Sequence, residues 1–197
     1  HRVVDYYEYL AENASDQMQL LEYGKTNEQR PLLLAYVSSA SNIGNLEKIR
    51  SEHIKSTTGE STASKAIVWL SYNVHGNESV STEASMQTIF ELLTNKSSYL
   101  ENTVVIIDPC INPDGRDRYV NWYYQYKNAP NNVDPDSKEH HEGWWNGRSN
   151  HYMFDLNRDW AWLTQVESQN RLKVYNKWIP HVHVDFHEQG VDNPYYF

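Results

Sequence analysis

Three unbroken apolar runs limit the folds open to this chain. They are "RPLLLAYVSS" (30–39), "SKAIVWLSYNV" (64–74) and "TVVIIDPCI" (103–111). Each is strand-length, the last two are rich in β-branched residues, and none alternates with polar residues. Such strands are covered on both faces, as in a sheet with helices above and below. "HVHVDFHE" (181–188) predicts a fourth strand. Helical spacing occupies 3–13, 41–56 and 164–179. It also occupies 81–95, where Met86, Ile89, Phe90 and Leu93 form a stripe and Ser79 and Thr82 offer hydroxyl caps. The alternation predicts an α/β fold: a mixed, largely parallel central sheet flanked by helices on both faces. Residues 121–153 are rich in Asn, Pro, His, Trp and Tyr without periodicity, and read as a long functional loop.

The length of 197 residues fits one domain spanning 1–197. With 15 Tyr and 7 Trp the chain is folded despite a mean hydropathy of -0.78. A net charge of -9 gives no basic stripe for nucleic acid. No apolar run approaches the ~20 residues of a membrane span. Cys110 is the single cysteine, so no intrachain disulfide forms, and it reads as a small buried side chain beside 103–111.

In open α/β sheets ligands bind beyond the carboxyl ends of the strands. Three strands here end in loaded loops: "HGNE" (75–78), "NPDGRDR" (112–118) and "HEQG" (187–190). "FDLNRDW" (154–160) closes the aromatic loop. His75 and Glu78 supply two candidate metal ligands, and His187 is a candidate third; two histidines and a glutamate are a known catalytic zinc set. In "DLNR", Asn157 and Arg158 suit a carboxylate clamp, and Asp155 suits the free nitrogen of a ligand histidine. Each element also has a plainer reading as a turn, a helix start or a surface ion pair.

With four motifs in hand, the chain resembles the zinc metallocarboxypeptidases of the carboxypeptidase A/B class, the bacterial branch more than the digestive enzymes. The resemblance runs through "GKTNEQRPL" (24–32), like an early family strand, then "HGNE", "NPDG", "DLNR" and "HE" in family order. It implies one zinc ion on His75, Glu78 and His187, with Asp155 behind His75. It implies Asn157 and Arg158 on the terminal carboxylate of a peptide substrate. It implies an arginine that polarises the scissile carbonyl: Arg148, with Arg116 and Arg118 as rivals. Pro113 and Gly115 suit a tight turn, and Asp114 is structural. The implied activity is hydrolysis of the C-terminal residue of peptides by zinc-activated water, in a secreted or periplasmic setting.

One departure stands beside this. The family's general-base glutamate and capping tyrosine belong well beyond the third ligand, and the sequence ends at Phe197. Glu188 would point away from the site on an extended strand. The expectation is therefore a domain incomplete at its C-terminal end, and by itself inactive. A zinc amidase or deacylase on peptidoglycan stems or N-acyl amino acids, and a non-catalytic pseudo-peptidase, are the alternatives. His181 and His183 read as packing or hydrogen-bonding residues and His140 and His141 as loop surface. Trp144, Trp145, Trp160 and Trp162 line a groove or fill the core.

Overall fold

The computed structural model describes residues 2–190 and 193–194. Helix α1 (Arg2–Asn13) leads into strands β1 (Met18–Lys25) and β2 (Pro31–Val37). Helices α2 (Ala40–Ile43) and α3 (Leu46–Thr57), strand β3 (Ala66–Tyr72), helix α4 (Ser79–Leu93) and strand β4 (Thr103–Asp108) follow. Helix α5 (Pro113–Tyr126), helix α6 (Val166–Trp178) and strand β5 (Val182–Phe186) complete it. The sheet order is β1-β2-β4-β3-β5. β3 pairs in parallel with both β4 and β5, while β2 is antiparallel to β1 and β4. The sheet is therefore mixed, and its parallel half is the half that leads to the loaded loops.

The apolar runs are continuous because the two faces share them alternately. Ala35, Val37, Val105 and Ile107 pack towards α1 and α4, with Tyr7 and Ile89. Leu34, Tyr36, Val104, Ile106, Ile67 and Trp69 pack towards α3 and α6, with Ile49, Val174 and Trp178. No described helix is long and apolar enough to cross a membrane.

Several details differ from the sequence reading; β1 has no counterpart among the expected strands, and α5 extends through 121–126 of the expected loop. Residues 24–32 are not one strand but the end of β1, a hairpin turn over 26–30 and the start of β2, with Gln29 at φ 65°. The helix expected over 41–56 is broken at Gly44 into α2 and α3. "NPDG" is a helix start rather than a loop turn: Asn112 Oδ1 accepts from Gly115 N at 2.9 Å and Pro113 takes the first turn of α5. Helix α4 begins at Ser79 without a side-chain cap, so Ser79 and Thr82 lie inside it.

The α6 side of the sheet ends in polar residues. Asp108, Ser71 and Asp185 are register partners across β4, β3 and β5. Tyr23 donates to Asp108 Oδ2 at 3.1 Å, and Ser71 Oγ lies 2.9 Å from His183 Nε2. Arg171 of α6 is only 1% exposed and sits 3.9 Å from the centre of the Trp160 ring. Burial pushes the Asp108 carboxyl up to about 7, and the charge of Arg171 and the Tyr23 bond only partly offset this.

The native state thus keeps a proton that the unfolded chain has released between about pH 4 and 7. Stability from this group falls as pH rises through that window and levels off above it. Between about pH 5 and 7.5 the wild type should lose roughly 2–3 kcal/mol relative to Asp108→Asn, read from urea midpoints. Parallel pH slopes in the two proteins would contradict this.

Candidate metal centre

The turn after β3 brings the first two ligand candidates together. Asn73, at φ 59°, reverses the chain. Its buried amide donates to the carbonyls of His75 (3.0 Å) and Glu78 (2.9 Å). Gly76 is held where no side chain fits: a Cβ there would lie 2.2 Å from Arg116 N and 2.5 Å from the Gly147 carbonyl. Gly115 and Gly147 are equally close to each other's backbone, with a Cβ on Gly115 2.3 Å from the Gly147 carbonyl. Three motifs that are remote in sequence thus touch through glycine backbone alone.

Around this junction, His75 Nδ1 lies 2.7 Å from Glu78 Oε1. His187, just past β5, places Nδ1 3.1 Å from Glu78 Oε2. The ring centres of His75 and His187 are 5.0 Å apart. The ligand atoms of His75, Glu78 and His187 all fall within 4.8 Å of one another. Burial raises the Glu78 carboxyl, but the His75 bond, the Glu188 amide and the charges of both histidines outweigh it and hold it below the ordinary carboxylate range.

Asp155 connects the rest. Its Oδ1 lies 3.0 Å from His75 Nε2 and accepts from Asn157 N at 2.9 Å, which starts the 3-10 turn Leu156–Arg158. Arg148 donates to its Oδ2 at 3.0 Å. Arg148 also comes within 3.8 Å of Glu78 Oε1. Burial acts against the charged Asp155, yet His75 and Arg148 keep its carboxyl below the ordinary value. Asn157 Nδ2 is 3.5 Å from His187 Nε2. Arg158 is exposed, with no side-chain bond among the described residues.

The rival arginines are committed elsewhere. Arg116 pairs with Glu83 of α4 at 2.9 Å. Arg118 donates to the carbonyls of Asn146, Ser149 and Asn150, and so fastens the loop that carries Arg148. Asn112 Nδ2 holds the Arg148 carbonyl at 3.1 Å. Asp114 is buried and accepts from Thr26 and Arg30 (2.7 and 2.8 Å). Asp114, Glu28 and His151 form a second group of ligand type. There the Arg30 guanidinium already bridges Glu28 and Asp114, which leaves a cation no advantage. Glu188 Oε1 accepts from Val80 N at 2.6 Å, at the start of α4.

The remaining candidates fall as follows. His181 Nδ1 accepts from Ile67 N at 3.0 Å. His140 and His141 are exposed and bond to backbone carbonyls of their own loop. Trp144, Trp145 and Trp162 are exposed, so they do not fill the core; Trp160 packs on Arg171, Tyr175 and His183. Desolvation raises the Cys110 thiol to about 12, and its Sγ donates to Asn73. Sequence reasoning missed Asn73. Its signal was an Asn directly after a strand, where a positive φ is least costly to a side-chain-bearing residue.

Comparison with known proteins gives the family and the fold. The zinc carboxypeptidase family profile matches residues 3–178, and the chain belongs to that family. The match spans His75, Glu78, Arg148, Asp155, Asn157 and Arg158; His187 lies beyond it and is placed by the β3–β5 pairing. Carboxypeptidase 2 of Trichophyton tonsurans is 26% identical over 137 residues, 68% of this chain and 20% of the relative. Carboxypeptidase 2 of Trichophyton rubrum is 25% identical over 167 residues, 83% of this chain and 23% of the relative. The chain thus spans about a fifth of the length of these relatives. In fold it is similar to carboxypeptidase A from Helicoverpa armigera, with a TM-score of 0.66 and 19% identity over 95% of this chain and 45% of that one. It is likewise similar to thrombin activatable fibrinolysis inhibitor, with a TM-score of 0.65 and 15% identity over 95% of this chain and 46% of that one.

The family implies zinc, and the residues present fit it. Two imidazole nitrogens and a carboxylate converge, and the far nitrogen of His75 is already engaged by a carboxylate, the arrangement that zinc-binding histidines require.

The glycine junction yields a test. Gly76→Ala has only backbone to displace and should cost at least about 3 kcal/mol, seen as a drop in urea midpoint. Gly44→Ala, whose nearest contact would be an ordinary 3.6 Å, should stay within about 1 kcal/mol. Equal effects would refute the junction's role.

Proposed function

We propose that this chain forms the metal-binding part of an exopeptidase that removes the C-terminal residue of peptides. The observation behind this reading is the convergence of His75, Glu78 and His187 beside Arg148, which Asp155 tethers. In this reading those three residues hold a single zinc ion. Zinc at such a site lowers the pKa of bound water towards ~7 and polarises a carbonyl.

The chain's own residues set the geometry. Asp155 accepts the Nε2 proton of His75, which leaves the Nδ1 lone pair facing the metal position. Arg148 is fixed at the site's edge by Asp155 and by the Asn112 hold on its backbone. Its guanidinium suits the negative charge that develops on a scissile carbonyl oxygen, a role commonly worth roughly 3–4 kcal/mol. Arg158 and Asn157 bind the terminal carboxylate, for three reasons. Arg158 is exposed, with no side-chain bond among the described residues. The same turn carries Asn157 to within reach of His187. A guanidinium binds a carboxylate through two parallel bonds. Recognition of that carboxylate is what makes the reaction terminal rather than internal.

Binding tests this directly. A zinc-loaded chain should bind a peptide with a free C-terminus, and Arg158→Ala should weaken that binding roughly 10–100-fold. Binding of the same peptide as its C-terminal amide should change less than about 3-fold. Equal losses on both peptides, by isothermal titration calorimetry, would exclude Arg158 as the carboxylate clamp.

A further inference from the structure

The two candidate imidazole ligands are supported in matching ways. His75 turns Nδ1 to Glu78 and Nε2 to Asp155, at 2.7 and 3.0 Å. His187 turns Nδ1 to Glu78 and Nε2 to Asp185 Oδ2, at 3.1 and 3.3 Å. The same contact pattern thus recurs on a second aspartate, two residues upstream in sequence. We propose that Asp185 is a positioning residue for His187, holding it in the tautomer and ring orientation that present Nδ1 to the metal.

A neutral imidazole offers a metal one lone pair only when the proton sits on its other nitrogen. A carboxylate at Nε2 accepts that proton, fixes the ring plane and raises the basicity of Nδ1. Asp185 can do this because its own place is set by the sheet. It pairs in register with Ser71, which pairs with Asp108, so it closes a row of polar residues across three strands. Its Oδ1 is buried and has no hydrogen-bond partner among the described residues. The charges of buried Arg171 and of Asp185 bear in opposite directions on both Asp108 and His183. Among the described residues His187 Nε2 has one other hydrogen-bonding neighbour, the Asn157 side chain at 3.5 Å, a longer contact than the one to Asp185.

This inference rests on the metal reading above, and the two can fail separately. Zinc affinity is measured by competition with a chelating dye for the wild type, Asp185→Ala, Asp185→Asn and Asp155→Ala. Circular dichroism checks that each zinc-free protein is folded. Asp185→Ala should weaken zinc binding about 10–100-fold. Asp185→Asn, whose amide oxygen still accepts from Nε2–H, should lose less. If Asp185→Ala fails to fold, the Asn variant decides: a loss of several-fold supports the role. Affinity within 2-fold of wild type in the folded Asp185 variants, with Asp155→Ala weakened, would overturn the role of Asp185 alone. A folded wild type that binds no zinc would overturn the metal reading and this inference with it.

Discussion

The site depends on three backbones meeting where only glycine fits. Gly76, Gly115 and Gly147 come from the loop after β3, the first turn of α5 and the loop before Arg148. Their contact lets the carboxyl ends of β3 and β4 and the long aromatic loop share one small volume. Side chains then lock what the glycines permit: Asn73 knits the His75–Glu78 turn, Asn112 holds Arg148, and Asp155 ties His75 to Arg148 and Asn157. Precise placement comes from this tethering, because loops with few fixed contacts position chemistry poorly.

The sheet contributes a second constraint, the difference between its faces. The α1 and α4 side packs a continuous apolar cluster, whereas the α6 side turns polar at the row Asp108, Ser71 and Asp185. Burying those groups is costly without compensation. Arg171, stacked on Trp160, offsets part of that cost at Asp108. That row leads from the buried interior to His187 at the rim of the site.

Much of this was legible in the residues. The central strands announced themselves because both faces are covered, which makes their apolar runs continuous. β1 did not, since it lies at the sheet edge with half of its residues exposed and has no such run. α5 was read as loop because only its first turn, Pro113–Arg116, is buried, and the remainder shows no apolar stripe. His75 and Glu78 were visible as neighbours in sequence. His187 reaches them only because β5 pairs with β3, a long-range register that spacing does not encode. The choice of Arg148 over Arg116 and Arg118 likewise turns on partners in space: Glu83 for one, three loop carbonyls for the other.

The central claim is that His75, Glu78 and His187 hold one metal ion together. The direct measurement is zinc per chain by mass spectrometry on purified wild type and on His187→Ala. The account predicts close to one zinc in the wild type and almost none in the folded variant. Zinc retained at the same level without His187, or a folded wild type that takes up none, would contradict it.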